Sequence, residues 1–184
     1  MKSKNFRRII IESTPLLIIC ALFSSASGSI LGIESSRFFA IPALLTIIPA
    51  FLEDGGAIGG ILAARFSSAL FTGEIKPSRK VSRKVFGLFA IVHFVGFLEF
   101  FSIGVIGYAI NRAFMIPANL FEMIAISVIA GQMLVLMMDF MAYYTSIFSF
   151  KIGIHPDNVT IPILTSVADF AGVLCLVGVS YLFL

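Results

Sequence analysis

The sequence is poor in charge and in the residue types on which most enzymes and metal proteins depend. Only 12% of its 184 residues are charged, and it has two cysteines, two histidines and no tryptophan. Soluble domains carry about 25% charged residues, so this chain has too little polar surface to cover a water-soluble globule. Because 59% of its residues are hydrophobic, the natural solvent for its outer face is lipid.

The scarcity of cysteine and histidine argues against several metal and redox chemistries. Cys20 and Cys175 lie in apolar stretches near opposite ends of the chain, without a CxxC spacing or a disulfide framework. His93 has no cysteine or histidine at ligand spacing, so we expect it to be packed and hydrogen-bonded rather than bound to zinc or copper. We interpret the methionines of the fourth apolar stretch as packing residues rather than copper ligands; they are Met133, Met137, Met138 and Met141.

Five apolar stretches are long enough to cross a bilayer, which takes about 20 residues each. They lie near residues 9–33, 38–72, 85–110, 118–148 and 158–184. We therefore predict an all-α polytopic membrane protein, with residues 1–184 as a single domain of five transmembrane helices. The second and fourth stretches exceed the required length, so they must tilt, break or extend beyond the bilayer. The first resembles a secretory signal, but its apolar character resumes at Ile30, so we expect a retained span.

The basic residues fall into two short clusters that flank apolar stretches. A basic cluster can indicate nucleic acid binding, but this placement favours topology determinants, so we expect a lipid bilayer and no nucleic acid as partner. The positive-inside rule then predicts a multi-pass plasma-membrane protein with a cytoplasmic N-terminus and an external C-terminus. Lys151 falls on the predicted inner side and agrees with this topology, whereas Arg37 and Arg112 fall on the outer side and do not. The clusters are Lys2, Lys4, Arg7 and Arg8, and Lys76, Arg79, Lys80, Arg83 and Lys84.

Several carboxylates lie inside the predicted spans, where ionisable residues are costly and usually functional. Glu53 and Asp54 lie in the second span, and Arg65 is the only basic residue deep in a span. Arg65 is about 16 Å from Asp54 along a continuous helix, too far for direct pairing. The carboxylates outnumber the basic residues that could pair with them inside the spans, which indicates that cations or protons bind the remainder. The others are Glu99, Asp139 and Asp169.

Polar residues of the fifth stretch recur at alternating steps of four and three, which places them on one helical face. This polar face of the fifth stretch consists of Asn158, Pro162, Thr165, Asp169 and Gly172. Oxygen-bearing side chains, a proline and a glycine on one face suit a hydrated groove, although Thr165 and Ser166 suit an interhelical hydrogen-bond seam equally well. The fourth stretch carries a similar set, namely Gln132, Asp139, Tyr143 and Ser146.

Glycines follow the two acidic residues of the second span. The pairs Gly55/Gly59 and Gly56/Gly60 have the small-xxx-small spacing of close helix packing. A local break that exposes carbonyl oxygens is the alternative, since irregular backbone is tolerated where it lines a cavity. The available donors are hard oxygens, which suit Mg²⁺, Ca²⁺ or Mn²⁺.

Two segments resemble the MgtE family of magnesium transporters. The run from Pro42 through Glu53-Asp54-Gly55-Gly56 to Glu74 resembles the family's second span, and the run Gly153–Gly172 resembles its last span, with Pro, Thr-Ser, Asp and Gly in the same order. The resemblance covers essentially the whole chain and lies closer to the archaeal and eukaryotic solute-carrier branch than to the bacterial form. It implies a pore between two five-span units, with Asp169 at the magnesium site.

The sequence departs from the family pattern at Ala57, which stands where the family has an asparagine. No segment of these 184 residues resembles the cytoplasmic magnesium-sensing domains of bacterial members. A ligand at residue 57 and gating by such domains are therefore not inferred.

We predict from these features a magnesium channel or carrier that pairs with a second copy or with a sister half-chain. The candidate cation ligands are Asp169, Thr165, Asn158, Asp54 and Glu53. The candidate pore-lining or accessory residues are Asp139, Glu99, Pro162, Ser166, Gly172, Gly55 and Gly56.

Two other functions remain open from the sequence. Buried carboxylates also suit a carrier that couples another solute to protons or sodium. A lipid-head-group transferase that acts on CDP-linked alcohols would need Asp-Gly-x-x-Ala-Arg and a later aspartate pair. Here Ile58-Gly59 stands in place of Ala-Arg, and Ala64-Arg65 comes too late, so we expect no enzyme.

Overall fold

The structure is a computed structural model that describes residues 2–35, 41–78 and 80–183, with side chains described from residue 10 onward. Within these ranges all regular structure is helical, as the sequence predicts. Arg37, Arg79, the predicted start of the second span at residues 38–40 and the side chains of the N-terminal basic cluster lie outside the described residues. The helices are α1 (Lys2–Ile33), α2 (Pro42–Leu45), α3 (Ile48–Phe71), α4 (Arg83–Ala113), α5 (Leu120–Lys151) and α6 (Pro156–Ser180).

In the part of the chain that the structure describes, four helices are long and apolar enough to cross a membrane, so the prediction of a membrane protein is confirmed. They are Ile10–Ile33 of α1, and the whole of α4, α5 and α6. Helix α3 carries Glu53, Asp54 and Arg65 and is not among these four. The count of five spans is therefore not established by length and apolarity.

The second predicted stretch breaks between α2 and α3. Pro49 lies at the second position of α3, and a proline ring collides with the carbonyl four residues earlier, here that of Leu45. The break is tied to α4 by Asn111, whose Nδ2 donates to the Ala43 carbonyl at 3.0 Å. Its Oδ1 accepts from Thr46 Oγ1 at 2.8 Å, so the polar groups at the break find partners inside the protein.

Helix α6 packs against α1, α3 and α5, while α5 also packs against α3 and α4. Helices α1 and α6 run parallel, because Glu12 contacts Asn158 and Ser24 contacts Asp169. Among the described residues α1 and α3 do not pack closely on each other. The polar face predicted for the fifth stretch, which we name the α6 stripe, therefore lies on a helix that has α1 on one side and α3 on the other. The α6 stripe consists of Asn158, Pro162, Thr165, Asp169 and Gly172.

Helices α3 and α4, and likewise α4 and α5, are antiparallel. Phe51 stacks at an angle on Phe100 with ring centroids 4.8 Å apart, and Phe66 meets Phe89 edge-on. Ser127 of α5 donates to the Phe100 carbonyl at 2.7 Å. These buried contacts make one continuous core, so α3, α4 and α5 form a compact bundle.

Helix α3 is continuous through its glycines, which favours close packing over a local break. A Cβ on Gly55 would lie 2.5 Å from Leu134 Cδ2, and one on Gly59 would lie 3.2 Å from Leu164 Cβ. Neighbouring side chains thus fill the space that a larger residue would need. Gly60 differs, because a Cβ there would meet nothing within 4 Å.

Gly104 offers a direct test of the packing between α4 and α5. A Cβ at this position would lie 2.7 Å from the Ile124 Cα, and backbone cannot move aside as a flexible side chain can. We expect Gly104→Ala to lower the free energy of unfolding by about 1–3 kcal/mol, measured by thermal or denaturant unfolding of the purified protein in detergent.

Gly87→Ala is the matched control on the same helix, since a Cβ there meets nothing within 4 Å. Alanine is the better helix former by about 1 kcal/mol, so this variant should be unchanged or more stable. Equal stability of the two variants would contradict the close approach of α4 and α5.

Candidate cation site

The α6 stripe lies between α1 and α3. On the α1 side, Cys20 Sγ donates to the Pro162 carbonyl at 3.4 Å. On the α3 side, a Cβ on Gly56 would lie 3.4 Å from Thr165 Cγ2, and Leu52 fills the space beside Gly172. The two neighbours cover the edges of the stripe and leave Thr165 exposed near its middle. Its hydroxyl donates to the Ile161 carbonyl of its own helix at 3.1 Å.

Asp169 lies near the middle of α6 and is half-buried. Ser24 of α1 donates to its Oδ2 at 2.7 Å, which is a short hydrogen bond and typical of a charged acceptor. The contact fixes one carboxylate oxygen. A carboxylate has two oxygens and can accept several bonds, so Asp169 keeps acceptor capacity for a cation.

Pro162 interrupts the hydrogen bonds of α6 about two turns before this carboxylate. Proline has no N–H, so it leaves the carbonyl four residues earlier without its helical partner, here that of Asn158. Ser13 of α1 donates to this carbonyl at 3.4 Å. The Asn158 side chain in turn donates to Glu12 Oε2 at 2.8 Å. The backbone carbonyl and the side-chain amide of Asn158 therefore both interact with α1.

The remaining α6 candidate is Ser166, which is buried and lies beside the stripe rather than on it. Gly172 is also buried, and a Cβ there would lie 2.8 Å from Leu52 Cδ2. Gly172 therefore serves the packing of α6 against α3. Gly55 and Gly56 have the same role on the α3 side.

The acidic residues of α3 differ in exposure. Glu53 is exposed and Asp54 is half-buried. The negative charge of Asp54 repels that of Glu53 on the same helix and that of Glu99 on α4. Asp54 therefore lies on the side of α3 that faces α4.

Asp139 belongs to a third environment, in the interior of the bundle. Its side chain is 1% exposed and its Oδ2 lies 3.2 Å from His93 Nε2. His93 Nδ1 lies 2.7 Å from Gln132 Oε1. The expectation of a packed, hydrogen-bonded His93 is confirmed, and Asp139 is not brought to the α6 stripe.

Glu12 and Ser24 are site residues that the sequence reasoning missed. Both lie on α1, twelve residues apart, in a stretch interpreted only as a span with small residues. Glu12 carries a signal that was available, since it is an acidic residue within an apolar run. Ser24 carries none, because its importance comes from a helix 145 residues away in sequence.

Within residues 2–35, 41–78 and 80–183 there is no group of three or more histidine, cysteine or acidic side chains close enough to hold a metal ion.

Comparison with protein families identifies the transport function at a coarse level. The MgtE family, described as a divalent cation transporter, matches residues 48–179. This chain belongs to that family. The match covers α3, α4 and α5 and all but the end of α6, and it leaves α1 outside. MgtE proteins are transporters, in keeping with the expectation that the chain is not an enzyme.

The Ser24–Asp169 contact yields a test of the site. A hydrogen bond to a charged group contributes about 1.5–3 kcal/mol. Because Ser24 orients the carboxylate and is not itself proposed as a ligand, only part of this energy, about 0.4–1.4 kcal/mol, should appear in cation binding. We therefore expect Ser24→Ala to raise the cation concentration for half-maximal uptake by roughly two- to tenfold, measured in proteoliposomes.

Ser25→Ala is the control, because Ser25 is exposed and its hydroxyl donates only to the Ala21 carbonyl of α1. This variant should behave as the wild type does. An unchanged concentration dependence in Ser24→Ala would show that α1 does not position Asp169.

Proposed function

We propose that this MgtE-family chain carries Mg²⁺ across the plasma membrane along the α6 stripe, with Asp169 as the principal ligand. The observation that supports the proposal most strongly is the half-buried Asp169 carboxylate, held by Ser24 between α1 and α3 near the middle of a membrane-spanning helix. Thr165 and Asn158 supply further oxygens on the same face. These donors are hard, as Mg²⁺ requires, and Ca²⁺ and Mn²⁺ are the competing ions.

We propose five crossings, with α3 as the additional one. Its 24 residues correspond to about 36 Å of helix, enough to cross the hydrocarbon core. It runs antiparallel to α4, and α1 runs parallel to α6, as alternating crossings require. The basic residues between α3 and α4 support a cytoplasmic N-terminus and an external C-terminus.

The proposed mechanism is capture by charge followed by partial dehydration. The carboxylates of Glu53, Asp54 and Glu99 attract hydrated cations by their negative potential. Mg²⁺ loses water reluctantly and usually keeps several waters when a protein binds it. Asp169 and the neighbouring oxygens therefore replace only part of the hydration shell, which permits release as well as binding.

A pair of chains is proposed as the working unit. Helix α3 presents Glu53 on an exposed face together with Ala57, Gly60 and Ala64. A charged group is costly against lipid, whereas small residues at this spacing let a second helix approach closely. A second copy, or a sister half-chain, would cover this face. In a symmetric pair two Asp169 carboxylates would share one dication, which relieves their mutual repulsion.

The first test replaces the principal ligand. At an effective dielectric constant of about 20 a unit-charge pair interacts by about 4 kcal/mol at 4 Å, so Asp169→Asn should lower Mg²⁺ uptake by at least about tenfold. Uptake is measured in proteoliposomes with Mg²⁺, Ca²⁺, Mn²⁺ and Na⁺ in competition. Glu122→Gln, at the start of α5, is the control with an equal loss of charge.

The double variant Glu53→Gln, Asp54→Asn separates attraction from binding in the same assay. It should weaken the apparent affinity for Mg²⁺ while uptake continues at high concentration. Wild-type flux in Asp169→Asn would overturn the assignment of the site, and an unchanged affinity in the double variant would leave the two acids with a structural role only.

The shared path is tested by cross-linking in a chain whose Cys20 and Cys175 are replaced by alanine. Thr165→Cys places a thiol on the exposed part of the α6 stripe, and Phe94→Cys places one on an exposed position of α4. A short bifunctional thiol reagent should join two Thr165→Cys chains but not two Phe94→Cys chains. The reverse pattern would exclude a path along α6 that two chains share.

A further inference from the structure

His93 is half-buried, with a side chain that is 30% exposed, and it contacts two polar residues of α5. Gln132 Nε2 donates to the His93 backbone carbonyl at 3.2 Å, which directs Gln132 Oε1 toward the ring. This oxygen lies 2.7 Å from His93 Nδ1. Because a carboxamide oxygen accepts but does not donate, Nδ1 must carry a proton.

The other ring nitrogen faces Asp139 Oδ2 at 3.2 Å. A neutral imidazole protonated on Nδ1 has a lone pair on Nε2. An ionised Asp139 carboxylate at this distance would place a second acceptor against that lone pair, and the two would repel. One additional proton removes the conflict. It either sits on Asp139, which then donates to Nε2, or on Nε2, which then donates to the carboxylate. Both arrangements give a pair without net charge, which suits the low dielectric of the interior.

Asp139 Oδ1 has no hydrogen-bond partner among the described residues, although it is buried. The same holds for the hydroxyls of Ser146, Ser149 and Thr160. Buried polar atoms almost always have a partner, often an ordered water. Asp139, Ser146 and Ser149 lie on one side of α5 over about 15 Å, and Thr160 lies in the first part of α6.

Asp139, Ser146, Ser149 and Thr160 form a row of buried polar groups. The row leads toward the end of the bundle where α5 ends and α6 begins. Asp157 lies there, with a side chain that is 42% exposed. The basic clusters predict that this end faces the cytoplasm. The row therefore begins at a solvent-accessible carboxylate and ends at the buried Asp139 and its partner His93.

The charged neighbours of the pair are few. His93 on α4 is the group whose charge acts on Asp139. On α3, Arg65 is exposed in a groove lined by Leu88 and Val92, and on α6, Asp169 is bonded to Ser24. Tyr143, on α5 itself, donates its hydroxyl to the carbonyls of Ser78 and Lys80.

We propose that His93, Gln132 and Asp139 form a proton-binding site inside each chain, which exchanges its proton with water along Ser146, Ser149 and Thr160. Release moves the shared proton to a water at Asp139 Oδ1 and leaves the pair with one negative charge. Binding is the reverse, with hydronium as the donor. This site is separate from the α6 stripe and does not depend on the ion that the stripe carries.

The first experiment uses the fact that the chain has only two histidines. In His155→Asn, which keeps a capping residue at the start of α6, ¹⁵N-histidine labelling reports His93 alone by NMR in lipid nanodiscs. We expect Nδ1 to be protonated throughout the pH titration, and Nε2 to change from hydrogen-bonded to free as the shared proton leaves. Asp139→Asn should abolish this change, whereas Glu122→Gln, on the same helix, should preserve it.

An Nδ1 without a proton, or a titration that Asp139→Asn leaves unchanged, would overturn the site. If Asp139→Asn fails to fold, the Nδ1 and Nε2 signals of His155→Asn decide the question by themselves. Neither readout involves magnesium uptake, so the result is independent of the transport assays.

The second experiment tests access from water. In the chain without Cys20 and Cys175, Ser146→Cys should react with a water-soluble thiol reagent at least about tenfold faster than Ile147→Cys, because reaction requires a hydrated thiolate. Ile147 is the adjacent residue and is also buried, with 5% exposure. Equal rates would show that no hydrated route follows this side of α5.

Discussion

The close approach of α3 to α5 and α6 is the constraint on which the rest of the structure depends. Gly55, Gly56 and Gly59 bear no side chains, so Leu134, Thr165 and Leu164 occupy the space beside the α3 backbone. Interiors are packed as densely as organic crystals, and a larger residue in α3 would push α6 away. The position of α6 then determines where its polar stripe opens, namely between α3 and α1.

Much of this arrangement could be predicted from the sequence, because helical periodicity shows which residues share a face. The stripe on α6, the hydrogen-bonded His93 and the all-helical membrane fold follow from patterns within single segments. The location of the break before α3 follows from Pro49 once the stretch is known to be too long. The sequence could not decide between a helix break and close packing at the α3 glycines, because the answer depends on which side chains of α5 and α6 lie against them. The same limit explains why Ser24 was missed.

The two polar faces on α5 and α6 look alike in sequence and differ in their surroundings. Helix α5 has neighbours in α3, α4 and α6, so Asp139 is enclosed and must be neutralised locally by His93. On α6, Thr165 is exposed and Asp169 is only half-buried. A carboxylate in a span is thus a signal of function in general, while the two proposals, a metal ion at Asp169 and a proton at Asp139, rest on how the neighbouring helices pack around each residue.

Helix α1 lies outside the segment that matches the family, yet it supplies Glu12, Ser13 and Ser24 to the α6 stripe. The side chains that hold Asp169 and Asn158 in place therefore come from a helix that the family match does not include. An exchange of α1 alone would change the partners of these two residues and leave the glycine-packed contacts of α3 with α5 and α6 as they are. The orientation of the Asp169 carboxylate can thus be altered through α1 without a change in Asp169 itself.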